Sequence, residues 1–143
     1  MKATQISEQG EKTFAVIFDP GDEVMAGLLD VATTHHLGAS HLTAIGAFSD
    51  VILGYFERER KEFKKIPLHE QVEVLALIGD IALNDGQPKV HAHVVVGKSD
   101  GSAWGGQIME AHVWPTLEVI IVESPLHLQR RTDPETGLAR ISV

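Results

Sequence analysis

Residues 12–38 read KTFAVIFDPGDEVMAGLLDVATTHHLG, and this stretch decides the class of fold. Lys12–Phe18 is rich in β-formers and stops at Asp19-Pro20-Gly21, a combination that turns the chain. Asp22 then offers an N-cap, because a short side-chain oxygen can accept from the free N–H groups of a first helical turn. Val24, Met25, Leu28, Leu29 and Ala32 recur at helical spacing, with His36 continuing the stripe, and Gly38 supplies a stop. A helix over Asp22–Leu37 is therefore expected. No later stretch repeats that period.

Downstream the signal is β. His41–Phe48, Val51–Phe56, Glu62–Ile66 and Gln71–Leu83 read as strands, the last with a kink expected at Gly79. Asn84–Pro88 reads as a turn, and Val90–Gly97 with Ala103–Val113 as a hairpin about Ser99-Asp100-Gly101-Ser102. Leu117–Val122 is a further strand, and Leu126–Val143 a short final pair split near Asp133–Gly137. One early helix followed by strands argues for α+β: a mainly antiparallel mixed β-sheet with one principal helix packed on it, not a doubly wound fold. No linker, repeat or compositional shift divides the chain, so 1–143 reads as a single domain. A long strand such as Gln71–Leu83 leaves edges that need cover, which argues for a neighbouring subunit.

Composition narrows the function classes. With 43% hydrophobic and 22% charged residues, the chain has the balance of a folded globular protein. No apolar run approaches the roughly 18–20 residues that span a bilayer, and Met1–Gln5 lacks a signal-peptide core. The absence of cysteine excludes disulfides, a thiolate nucleophile and Cys-based zinc sites, and suits a cytoplasmic address. The net charge of −8 disfavours both DNA phosphates and anionic membranes, since each is bound by excess Lys and Arg. Arg58–Lys65 mixes basic and acidic residues, as a solvated β-ribbon does. No phosphate-binding loop, dinucleotide fingerprint or nucleophile elbow is present.

The chemistry concentrates in histidine. His91 and His93, two apart on a strand, point to one face, while Ala92, Val94 and Val96 point to the other. The hairpin brings Gln107 near His93 and Met109 near His91. Neutral imidazoles suit zinc or another divalent metal, which in an open site takes about three protein ligands and a water. The third ligand is open among His112, His41 and Gln107. His112 lies an odd number of residues from Gln107, so it joins only if the strand bulges or a second subunit approaches. Gln107, His41 and Glu110 are the candidates for contacting a bound ligand. Glu110 or Glu118 beside a metal-bound water could act as a general base, or else stand exposed in salt bridges. The alternative is a polar cleft in which the histidines hydrogen-bond without metal. Trp104 and Trp114 read as core or as an intersubunit seam. Arg130 and Arg131, near His127, read as a rim pair or a small anion site.

An ordered set of segments resembles the plant and prokaryote conserved (PPC) domain. These are Thr43–Phe48, Leu53–Phe56, Val72–Asp80, His91–Gly97, Asp100-Gly101, Gly105-Gly106 and Pro115–Val119. The resemblance implies a mixed sheet with a helix against it, and a homotrimer with adjoining sheets. It also implies that position 107, often histidine in the family, here carries a poorer ligand. In plant members DNA contact belongs to AT-hooks, whose Arg-Gly-Arg-Pro core is missing here. The function implied is a trimeric ligand-binding or interaction module with a small-molecule or protein partner. A metal-dependent enzyme is the alternative, and direct DNA binding a weaker one.

Overall fold

In the computed structural model, which describes residues 1–7, 10–125 and 128–142, Lys2–Ser7 (β1) pairs antiparallel with Lys12–Phe18 (β2). The helix α1 (Val24–Thr34) follows, then β3 (Ala39–Glu57), β4 (Glu62–Leu68), β5 (Val72–Asn84) and β6 (Gln87–Gly97). A 21-residue β7 (Ala103–Glu123) and the short pair β8 (Gln129–Thr132) and β9 (Ala139–Ser142) complete one nine-stranded sheet. Among the described residues all strand pairings are antiparallel except a single parallel bridge, Leu83 to Gln129. The class is α+β, as expected. No helix among the described residues is long and apolar enough to cross a membrane.

The sheet closes on itself. β3 pairs with β5, β5 with β6, β6 with the start of β7, and β7 back along β3. β5 is thus an interior strand, and the edge expected at Gln71–Leu83 does not exist. The inner surface carries the core, with Phe48, Leu53, Leu77, Ile81, Ile108 and Leu117 fully buried. Helix α1 joins that core through Val24, Leu28, Val31 and Ala32.

Several boundaries differ from the sequence reading for local reasons. The helix spans 11 residues, not Asp22–Leu37. Glu23, not Asp22, caps it by accepting from the N–H groups of Met25 and Ala26 at 3.2 and 2.6 Å. Asp22 is taken by the N-terminal ammonium at 2.9 Å. His36 adopts φ 54°, the left-handed geometry that ends a helix, so Leu37 lies outside. The two strands expected at His41–Phe48 and Val51–Phe56 are one continuous β3, and β7 likewise runs through Pro115. That proline is tolerated because Gly46 pairs with Leu117 and Phe48 with Val113, leaving residues 114–116 outside the ladder. Gly46 is required there: at φ 152° any Cβ would overlap the Thr116 carbonyl. The irregularity in β5 falls between Val74 and Ala76, not at Gly79. The tail pair forms with its turn where expected, while residues 126, 127 and 143 lie outside the described residues.

Candidate functional site

The outer face of the closed sheet brings the histidine pair into a cleft of about 840 Å³. On β6, His91 and His93 alternate with buried Ala92, Val94 and Val96, so both rings leave the core together. Their Nε2 atoms stand 3.2 Å apart and the rings meet edge to face. Pairing of β6 with β7 sets Gln107 opposite His93, as the hairpin reading expects, and both line the cleft. Met109 is placed differently. It bulges from β7 between Ile108 and Glu110, beyond the end of the β6–β7 ladder at His93 and Gln107, with its sulfur against Gly54.

Asp80 on β5 lies opposite His91, its Oδ2 3.8 Å from Nδ1 of that ring. It also holds the guanidinium of Arg130, which reaches back from β8 and donates to the Ala139 carbonyl at 2.8 Å. Burial disfavours the Asp80 carboxylate, yet His91 and Arg130 outweigh it and set its pKa below the usual value. His93 is shifted down, first by burial and then by the neighbouring His91. Its lone pair is therefore available at neutral pH.

The bulge at Met109 turns His112 to the outer surface, satisfying the condition set by strand parity. It nevertheless stays outside the cleft. His112 Nδ1 is 2.8 Å from Asp50 on the neighbouring β3, and Nε2 is 4.0 Å from Glu110. Glu110 is thus a partner of His112, and Glu118 stands exposed between Ile17 and Ile45. His41 pairs with Asp80, one strand beyond His91, and does not line the cleft. Among the described residues no three His, Asp or Glu side chains converge as metal ligands. Trp104 and Trp114 are both partly exposed rather than core, and Lys98 lies 5.3 Å over the Trp104 ring. Arg58–Lys65 is a hairpin tip whose Arg60 pairs with Glu62 at 2.7 Å. His127 lies outside the described residues, and Arg131 is exposed.

The Asp50–His112 pair makes stability depend on pH. Its hydrogen bond raises the His112 pKa, partial burial opposes this, and the charges of Asp50, Glu110 and Glu23 add to the rise. A raised histidine pKa gives a contribution that is full below about pH 6.5 and is lost as pH climbs through the folded value. Melting temperature should therefore sag by about 1 °C on the alkaline side, the small size reflecting an exposed pair. In His112→Gln that part of the profile should be flat; an identical slope in both proteins refutes the assignment.

A family model for the Plants and Prokaryotes Conserved (PCC) domain matches residues 5–125. The chain belongs to this family. Among solved structures, a plant- and prokaryote-conserved protein of Pyrococcus horikoshii is 30% identical with a TM-score of 0.86, covering 92% of this chain and 91% of that one. A metal-containing protein of Archaeoglobus fulgidus is 33% identical with a TM-score of 0.85, covering 100% of both chains. A candidate DNA-binding protein of Ralstonia eutropha is 27% identical with a TM-score of 0.83, covering 91% of this chain and 90% of that one. Curated relatives are the bifunctional protein GlmU of two Synechococcus strains, 28% and 29% identical, of which this PCC chain spans about one fifth.

Sequence reasoning missed Asp80 and the aromatic wall of Phe56 and Phe63. The signal for Asp80 lay in the outward parity it shares with Ile78 on β5, legible only once β5 is known to pair with β6.

Proposed function

We propose that this PCC domain is a cytoplasmic, trimeric ligand-binding or interaction module whose His91–His93 pair holds a divalent metal, zinc foremost. The carrying observation is the 3.2 Å between the two Nε2 atoms. Two ligands about 2.0–2.1 Å from a tetrahedral metal lie about 3.3 Å apart, so the pair already has the required bite. Gln107 beside His93 supplies an amide oxygen, a weaker donor than imidazole. Asp80 near Nδ1 of His91 favours the tautomer with its lone pair on Nε2, the atom that faces His93. Bound there, zinc would offer open positions with Lewis-acid character to a ligand atom. The metal-containing relative supports this reading.

The binding-module reading is favoured over an enzyme by the cleft's carboxylates. Asp80 is the one acidic residue lining it among the described residues, and Arg130 engages it, so no free general base faces the pair. DNA binding is disfavoured by the net charge of −8 and the self-paired Arg60. Support for assembly comes from a face rather than an edge. Ile78 (62% exposed) pairs with Thr43, which is opposite Ile120, and Ile45, Leu75 and Val95 extend the same patch.

Metal analysis tests the site. After zinc loading and desalting, the protein should retain about one zinc per chain, and His91→Ala with His93→Ala almost none, with the melting temperature kept. Equal zinc in both proteins sinks the proposal. Sedimentation equilibrium tests assembly: the expected mass is three times 15.6 kDa, falling to one chain in Ile78→Glu. A monomeric native protein at micromolar concentration rules the trimer out.

A further inference from the structure

The histidine cleft has a second wall built from residues beyond the family match, which ends at 125. The β8–β9 hairpin supplies Arg130, Leu138, Arg140 and Ile141, and the β3–β4 ribbon faces the same space with Phe56 and Phe63, their ring centroids 5.3 Å apart. The cleft therefore joins a nitrogen-rich part, Lys89, His91 and His93, to apolar surfaces. Its one acidic lining residue, Asp80, is already spent on Arg130. Lys89 has no carboxylate partner among the described residues. Arg140 pairs with Asp133 through one nitrogen at 3.0 Å while its side chain stays 76% exposed. A locally basic cleft in a chain of net charge −8 is a departure from the rest of the surface.

We propose that this cleft binds a small organic anion, a carboxylate or phosphate carried on an apolar body. The head meets Lys89, Arg140 and the histidine pair, and the body lies against Phe56, Phe63, Leu138 and Ile141. A purely apolar ligand would leave the Lys89 ammonium uncompensated. A polyanion would find too few cations and an acidic surround. The volume of about 840 Å³ falls within the roughly 300–1,000 Å³ usual for small-molecule sites. The inference rests on the cleft being a binding site, as proposed above, but not on a metal being present in it.

The test titrates the assembled protein, once stripped with EDTA and once zinc-loaded, while following the amide signals of Gly105, Gly106 and Gln107. The probes are 4-phenylbutyrate and phenyl phosphate, with acetate, inorganic phosphate and 4-phenylbutanol as controls. Both amphipathic anions should shift these amides saturably at concentrations about tenfold or more below any control. Which of the two binds tighter separates a carboxylate from a phosphate head. Lys89→Ala with Arg140→Ala, both at exposed positions, should weaken the anions about tenfold and leave the alcohol unchanged. If that variant fails to fold, Lys89→Ala alone gives the same readout. Equal binding of 4-phenylbutanol, equal binding of inorganic phosphate, or no shift at these amides overturns the proposal. Anion binding without zinc uptake defeats the metal reading and leaves this one standing, and zinc uptake without anion binding does the reverse.

Discussion

Glu123→Ala is expected to cost about 3 kcal/mol or more, lowering the melting temperature by about 10 °C or more. Glu123 is buried at the end of β7. Its carboxylate accepts from the Gly38 N–H at 2.9 Å, from the Ala39 N–H at 3.1 Å and from the Ser40 hydroxyl. These donors belong to the segment that leaves α1 and enters β3, so one side chain ties the helix exit to the closing strand. Truncation leaves all three donors buried without partners, and each forfeits its hydrogen bonds to water without recompense. Glu123→Gln keeps an accepting oxygen but presents an N–H₂ group to other donors, so it should fall between. Denaturant unfolding checks the order; a loss below about 1 kcal/mol for the alanine variant rejects this account.

Asp80→Ala is expected to release the β8–β9 hairpin from the body, raising amide exchange within both strands about a hundredfold. Among the described residues, the backbone pairings that join the hairpin to the sheet are the bridge of Leu83 to Gln129 and those of Leu128 with Leu83 and Gly38 at 2.8 Å. Arg130 is buried, with its Nε already lacking a partner, so losing the carboxylate leaves an uncompensated charge. Replacing both partners, Asp80→Leu with Arg130→Met, should restore much of the protection, because the charge is removed with its partner. The pH dependence has the opposite sign to that of His112. The Asp80 pKa is lowered on folding, so its contribution is present at neutral pH and lost only as pH falls through that depressed value. Unchanged exchange in Asp80→Ala would show that backbone pairing alone holds the hairpin.

The parts of the fold that were legible are those written in local periodicity. The helix, the turn at Asp19–Gly21 and the His93–Gln107 pairing all follow from spacing within a few residues or across one hairpin. Closure of the sheet was not legible, because β7 meets β3 in pairs as distant as Ser40 with Glu123, and no local pattern announces that pairing. The histidine pair was found from strand parity, whereas His112 required knowledge of a bulge that parity cannot supply. Asp80 and Arg130 were harder still. Each looks like an ordinary surface charge until the tail folds back across β5.

Closure of β3, β5, β6 and β7 into a ring also orders events during synthesis. β3 leaves the ribosome long before its partner β7, and β5 and β6 can add only to a strand whose other side stays open. Until Glu123 has emerged, the nascent chain exposes the apolar inner surfaces of three strands with nothing to close over them. Pairings this distant in sequence form slowly, since the intervening loop must be ordered before contacts reward it. A ribosome stalled while β7 is still in the exit tunnel should therefore display a chaperone client, and release of β7 should end that dependence in a single step.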